Sequence, residues 1–329
     1  MNKPQIQDIL QSRILVIDGA MGTMIQRYNL TEEQFKGQRF KENEKLQKGN
    51  YDLLTLTQPE IVEQIHQAYL EAGADIIETN TFNATSVSMR DYDMQGYVRE
   101  MNVEAARIAR KVADEFTLKD PNKTRFVAGA VGPTNKTTSV NTLNKNSCSV
   151  NFDDLRISYE EQIEALIDGS VDIILLETVF DTLNAKAALF ATQDIFRKKG
   201  EEIPIIVSIT LPDKEEQTFS GETIEEFLAS ITHIKLLSVG FNCSFGASAM
   251  KSHLKQLKAI SPLFVTAYPN AGLPNQLGEY DDSPEKMVNQ IKEFVDEGLV
   301  NIVGGCCGTT PQHIAQIVKI VDGVTPPIY

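Results

Sequence analysis

The sequence predicts an α/β fold, specifically a (β/α)8 barrel. Three observations carry this: eight short apolar runs, amphipathic helix patterns between them, and no break in composition along 329 residues. The runs are nearly continuous in apolar character rather than alternating, as strands covered on both faces require, which makes the sheet parallel. An open doubly wound sheet is the other architecture to weigh, but eight strands with intervening helices in a chain of this length fit a closed barrel better.

Taken in order, the predicted strands are 14–17, 75–79, 126–131, 173–177, 205–210, 236–241, 264–268 and 301–304. The segment 53–59 (LLTLTQP) reads as a loop entering a helix, because counting it as a strand would place two strands before the first full crossover. The helix pattern at 59–72 puts Ile61, Ile65, Ala68 and Ala72 on one face, with Thr57 and Glu60 as its capping box. Val98, Met101, Ala105, Ile108 and Val112 fall at helical spacing over 98–112. Ser283-Pro284 and Thr310-Pro311 announce two later helices, each a capping hydroxyl followed by proline in the first turn. The polar stretch 27–50 reads as a solvated excursion on the barrel rim, and no internal repeat or low-complexity tract interrupts the pattern. A single barrel domain over residues 1–329 is therefore expected.

Charge and cysteine usage exclude whole classes of function. A formal charge of −14 repels nucleic acid and anionic membrane surfaces alike. No apolar run approaches the length of a membrane span, and the first residues have neither a signal-peptide core nor an Arg-rich transit pattern, so a cytoplasmic location is expected. Four cysteines in such a chain read as metal ligands or core thiols rather than a disulfide framework.

In a barrel the chemistry belongs at the carboxyl ends of the strands, and the unusual residues cluster there. The first strand ends in Asp18-Gly19-Ala20-Met21-Gly22-Thr23, the second in Glu78-Thr79-Asn80-Thr81, the fourth in Glu177-Thr178, the sixth in Asn242-Cys243, the seventh in Tyr268-Pro269-Asn270, and the eighth leads into Cys306 and Cys307. Three thiols at strand ends supply three legs of a tetrahedral zinc site with its fourth position open, the catalytic rather than the structural pattern. The glycines flanking the vicinal pair in GGCCGT let backbone and metal approach closely. Redox chemistry of that pair competes, although adjacent cysteines close a strained ring and lack Cys-x-x-Cys spacing. A non-catalytic barrel whose zinc merely clamps strands six and eight is the alternative of another class. Cys148, in a polar loop, is left as a free thiol.

Glu177 follows four apolar residues and is costly to bury unless it meets a cation; an amino group would serve. His66, His233, His253 and His313 lie in or beside helix patterns, where surface or helix-end positions are expected, so a histidine metal site or a Ser-His-Asp triad is disfavoured. No lysine ends a predicted strand, which counts against a lysine-based aldolase barrel.

The runs DGAMGT, LEAGADIIETNTF, LLET, GFNC and GGCCGTTP resemble the homocysteine S-methyltransferase family over essentially the whole chain. LTEEQFKGQRF, LLTLTQPEIV and GGCCGTTPQHI are similar to the N-terminal homocysteine-binding module of cobalamin-dependent methionine synthases rather than to betaine-dependent relatives. The resemblance implies Zn2+ held by Cys243, Cys306 and Cys307, with the homocysteine sulfur as fourth ligand, and Asp18 and Glu177 on the substrate amino group. It also implies a role in methionine biosynthesis, with methylcobalamin, bound by a separate module, as methyl donor and 5-methyltetrahydrofolate behind it. Folate, cobalamin and reactivation modules are then expected outside residues 1–329, in cis or in trans. Backbone N–H groups around Gly19, Ala20 and Met21 are expected to receive the substrate carboxylate, and the Asn270 amide oxygen to lie near the metal before substrate arrives. Betaine or S-methylmethionine as donor remains the alternative within the family.

Overall fold

All eight expected strands form, and all are parallel. The computed structural model describes residues 5–136, 150–212, 217–218, 220–275 and 280–328, with backbone alone at 244 and 245. The strands are β1 (Leu15–Val16), β2 (Ile76–Glu78), β3 (Phe126–Val131), β4 (Ile173–Val179), β5 (Ile205–Ile209), β6 (Ser238–Gly246), β7 (Phe264–Asn270) and β8 (Ile302–Val303). Their order is β1-β8-β7-β6-β5-β4-β3-β2, and a parallel bridge between Ile17 and Ile76 joins the two ends into a ring. An open doubly wound sheet is thereby excluded.

Side chains alternate across each strand, and here both faces are apolar. Leu15, Ile17, Ile76, Phe126, Ile173, Leu175, Ile206 and Ile302 pack into one cluster that fills the barrel. Their neighbours Val16, Ile77, Val127, Ile174, Val207 and Val303 belong to a larger cluster shared with the helices. Two residues on from Ile76, Leu175 and Ile206 come Glu78, Glu177 and Ser208, so the inner face turns from apolar to polar towards the strand ends. Fold and site are thus the same pattern read at two heights.

Several local expectations are corrected. Residues 53–59 are not a strand, but Leu54–Thr57 makes one helical turn, and the Thr57 hydroxyl donates back to the Leu53 carbonyl at 3.4 Å. The N-cap of the Pro59–Glu71 helix therefore falls on Gln58, and no Thr57/Glu60 capping box forms. That helix buries Val62, His66, Tyr69 and Leu70 beside Ile61 and Ile65, whereas Ala68 and Ala72 are only partly covered. The 98–112 pattern continues as Val98–Lys119. In the stretch 27–50 the charged side chains are solvated, but Leu30, Phe35 and Phe40 are buried and a capping box of Thr31 and Gln34 starts the Glu32–Lys36 helix. Three of the four histidines, His66, His253 and His313, are buried rather than superficial, because their helices are covered by neighbouring helices as well as by the barrel. Ser283 caps the Pro284–Asp296 helix as expected. Among the described residues no helix is long and apolar enough to cross a membrane. Cys148 lies outside the described residues.

Candidate active site

The three cysteines at the strand ends meet. Cys243 Sγ lies 3.9 Å from Cys307 Sγ, Cys306 Sγ lies 4.0 Å from Cys307 Sγ, and all three sulfurs fall within 4.8 Å of one another. They are half-buried free thiols. Cys243 sits inside β6 rather than after it, at a left-handed φ of 59° that turns its side chain out of the regular pleat. The vicinal pair is fixed by main chain: the Cys306 N–H donates to the Pro269 carbonyl at 2.8 Å and the Ala271 N–H to the Cys307 carbonyl at 2.9 Å. Gly304 is obligatory in this run, since a Cβ there would stand 2.4 Å from the Ile17 carbonyl oxygen of β1. Hydrogen bonds from Cys243 and Cys306 pull the Cys307 thiol down, while the same contacts and burial push Cys306 up.

The turn after β1 is stitched to the cysteine loop. Gly305 N–H donates to the Asp18 carbonyl at 3.2 Å, Gly308 N–H to Thr23 Oγ1 at 3.0 Å, and Ala20 N–H to Thr309 Oγ1 at 3.1 Å. The Ala20 amide is thus engaged by the Thr309 hydroxyl. Met21 and Gly22 open the short Met21–Gln26 helix, where main-chain N–H groups have no intrahelical acceptor.

Beside the thiols stand three acids. Asp18 is buried; its Oδ2 accepts from the Glu78 N–H at 3.1 Å and its Oδ1 has no partner. Burial pushes its carboxyl well up, helped by the charge of Glu177. Glu177, also buried, is pushed up to about 8 by desolvation and then by Cys307. Glu78 is pushed well up by burial and by the charges of Glu177 and Asp18. Among the described residues none of the three forms an ion pair. Asn270, at the end of β7, is buried with its Oδ1 unpartnered.

Asp18, Glu177, Cys243, Cys306 and Cys307 are therefore brought to one mouth, as expected from their places at strand ends. Glu78 was missed as a site residue, although its context, Ile76-Ile77-Glu78-Thr79, carries the same signal as Leu175-Leu176-Glu177-Thr178. Tyr280 was also missed; burial and the charge of the nearby Cys307 push its phenol up.

Eight parallel strands with thiols and acids gathered at their carboxyl ends define a (β/α)8 barrel that concentrates its chemistry at one mouth. The family model described as homocysteine S-methyltransferase matches residues 15–321, and the chain belongs to that family of methyltransferases. Among solved structures, the metallated form of the Escherichia coli homocysteine methyltransferase MmuM is similar with a TM-score of 0.74 at 19% identity, covering 96% of this chain and 99% of that one. The apo form of the same protein gives 0.69 at 18% identity, covering 97% and 100%. At such identities the likeness is one of fold.

Proposed function

We propose that this chain activates homocysteine as a thiolate on zinc for S-methylation to methionine, taking the methyl group from methylcobalamin held by a separate module. In that reading 5-methyltetrahydrofolate is the ultimate donor, and residues 1–329 are the homocysteine-binding barrel of a larger cobalamin-dependent system. The observation that carries it is the sulfur spacing. Tetrahedral zinc with bonds of about 2.3 Å to sulfur sets neighbouring sulfurs about 3.8 Å apart; two of the separations found here, 3.9 and 4.0 Å, are close to that spacing, and all three sulfurs lie within 4.8 Å of one another. Soft thiolate donors suit zinc chemically, and the E. coli relative exists in a metallated form.

Bound zinc supplies one thing, deprotonation of a substrate thiol that on its own, with a pKa of about 8.5, keeps its proton near neutrality. The remaining work falls to side chains of this protein. Cys243, Cys306 and Cys307 would hold the ion. Asp18 and Glu177, both buried, and the half-buried Glu78 are the groups to take the substrate ammonium, whose arrival lets a carboxyl ionise at low desolvation cost. The Met21 and Gly22 N–H groups donate to the substrate carboxylate, while Gly19 keeps the turn close: a Cβ there would stand 2.7 Å from Thr309 Oγ1. The unpartnered Asn270 Oδ1 would serve as an oxygen donor to that metal before substrate enters.

The test is metal content and donor use together. Zinc-loaded protein incubated with homocysteine should form methionine slowly from excess methylcobalamin and none from 5-methyltetrahydrofolate alone. Cys243→Ala, Cys306→Ala and Cys307→Ala should each lose most zinc and nearly all methyl transfer. Full zinc in any of the three would overturn the ligand assignment. Turnover with betaine or S-methylmethionine, and none with methylcobalamin, would move the chain to a cobalamin-independent branch with the thiolate chemistry intact.

A further inference from the structure

Two strand residues at this mouth adopt a backbone conformation that ordinary side chains avoid. Thr178, directly after Glu177, has φ 54°, and Cys243 has φ 59°. A left-handed non-glycine residue is strained and persists only where its surroundings hold it, and a β-branched one is a true outlier. Both kinks coincide with breaks in the sheet: the β4/β5 register shifts between Leu176 and Val179, and the β6/β7 register between Asn242 and Gly246. One kink aims the acid half of the site, the other the thiol half.

A single side chain touches both. Asn242, 1% exposed, precedes the kinked Cys243 on β6. Its Oδ1 accepts from the Thr178 N–H at 3.0 Å and from Ser208 Oγ at 2.7 Å. Its Nδ2 donates to Thr178 Oγ1 at 2.8 Å and points at Cys306 Sγ, 3.9 Å away. A carboxamide has two acceptor sites and two donor protons, and here all four are engaged, by partners on β4, β5 and the loop after β8. Aspartate would keep the acceptors and lose both donors, glutamine is too long, and an apolar residue would leave the Thr178 amide orphaned.

We infer that Asn242 is the positioning residue of this site: it clamps the Thr178 kink, and so the direction of Glu177, to the strand that carries Cys243, and it donates a hydrogen bond to the Cys306 sulfur. Acid half and thiol half are thereby held in one register, so that a substrate's ammonium and sulfur are engaged together. The N–H on sulfur also draws charge from a centre that three thiolates make anionic. Groups that orient metal ligands in this way typically change metal affinity by about 10- to 100-fold when removed.

This inference rests on the zinc and homocysteine reading above, and the experiment separates the two. Zinc affinity is measured by competition with a chromophoric chelator, homocysteine affinity by calorimetry, and the cobalt(II)-substituted protein gives the thiolate charge-transfer band. In Asn242→Asp, which keeps the volume and both acceptors, the band should shift and both affinities should fall by about tenfold or more. Asn242→Ala should lose more. Adding Thr178→Gly to Asn242→Ala should restore much of the homocysteine affinity, because glycine takes φ 54° without a clamp, yet leave the cobalt band displaced, because the contact to Cys306 is still missing. An Asn242→Asp protein with the wild-type band and both wild-type affinities would overturn the assignment, whether or not the alanine variants fold. Variants that melt lower while band and affinities stay in place would overturn it equally. Failure of the underlying reading looks different: wild-type protein would itself bind neither metal nor homocysteine.

Discussion

Asp18, Glu78 and Glu177 form an arrangement that is unfavourable until something positive arrives. Each is pushed up chiefly by burial, and Asp18 and Glu78 also by neighbouring carboxyl charge. Burial of this kind favours the neutral carboxyl, and a cation beside it favours the ionised form. Glu177→Gln keeps the size but removes the charge, so it should weaken homocysteine binding by about 1.5–3 kcal/mol, the range for a hydrogen bond to a charged group, while zinc content stays full. Asp18→Asn should act in the same direction, and Glu78→Gln should reveal whether the third acid shares the ammonium. Calorimetry that finds homocysteine affinity unchanged in both Asp18→Asn and Glu177→Gln would remove the acids from substrate binding. Glu177 was legible because an acid after four apolar residues demands an explanation. Glu78 carries the same motif after a shorter run, and only the closed ring shows that strands two and four aim their acids at one point.

At the scale of elements, the strands were readable because a parallel strand covered on both faces is apolar at every position, which is the strongest short-range signal a chain offers. Less readable were the devices that fix register. Asp75, Asp172 and Asn301, immediately before β2, β4 and β8, accept the N–H groups of Val16, Val127 and Val265 on the neighbouring strands at 2.9, 2.8 and 3.0 Å. Helix faces were misjudged for a related reason. The Pro59–Glu71 helix is covered by more than the barrel, so His66 is fully buried, with neither ring nitrogen hydrogen-bonded, and desolvation lowers its pKa to about 4. The sign of the consequence is fixed: between about 4 and 6.5 the unfolded chain binds a proton at this residue that the native one refuses. Native stability is therefore lost as pH falls from 6.5 towards 4, by about 3 kcal/mol from this residue alone. Urea unfolding at pH 7 and at pH 4.5 should show a distinctly smaller difference in His66→Phe than in wild type; an equal difference in both would assign the acid sensitivity elsewhere.

The whole molecule decides whether metal is a clamp or a reagent. Cys243 comes from β6 and Cys306 and Cys307 from the loop after β8, but β7 already lies between these strands and is hydrogen-bonded to both, and the Ile17–Ile76 bridge joins the ends of the sheet. Barrel interior and helix layer are filled by apolar side chains from every strand, which pack against one another. Chelation should consequently leave a folded protein with a cooperative melt, unlike small domains whose folding depends on zinc. Zinc should raise the midpoint only as ligand binding to the native state does, growing with the logarithm of its concentration above Kd. Homocysteine should add a further increment in zinc-loaded protein and little in chelated protein, because its sulfur would then lack a partner while its ammonium still meets the acids. Thermal scans with and without chelator, each with and without homocysteine, make four conditions. Loss of the cooperative transition on chelation would establish a structural metal, and an equal homocysteine shift in both states would separate substrate binding from the thiol cluster.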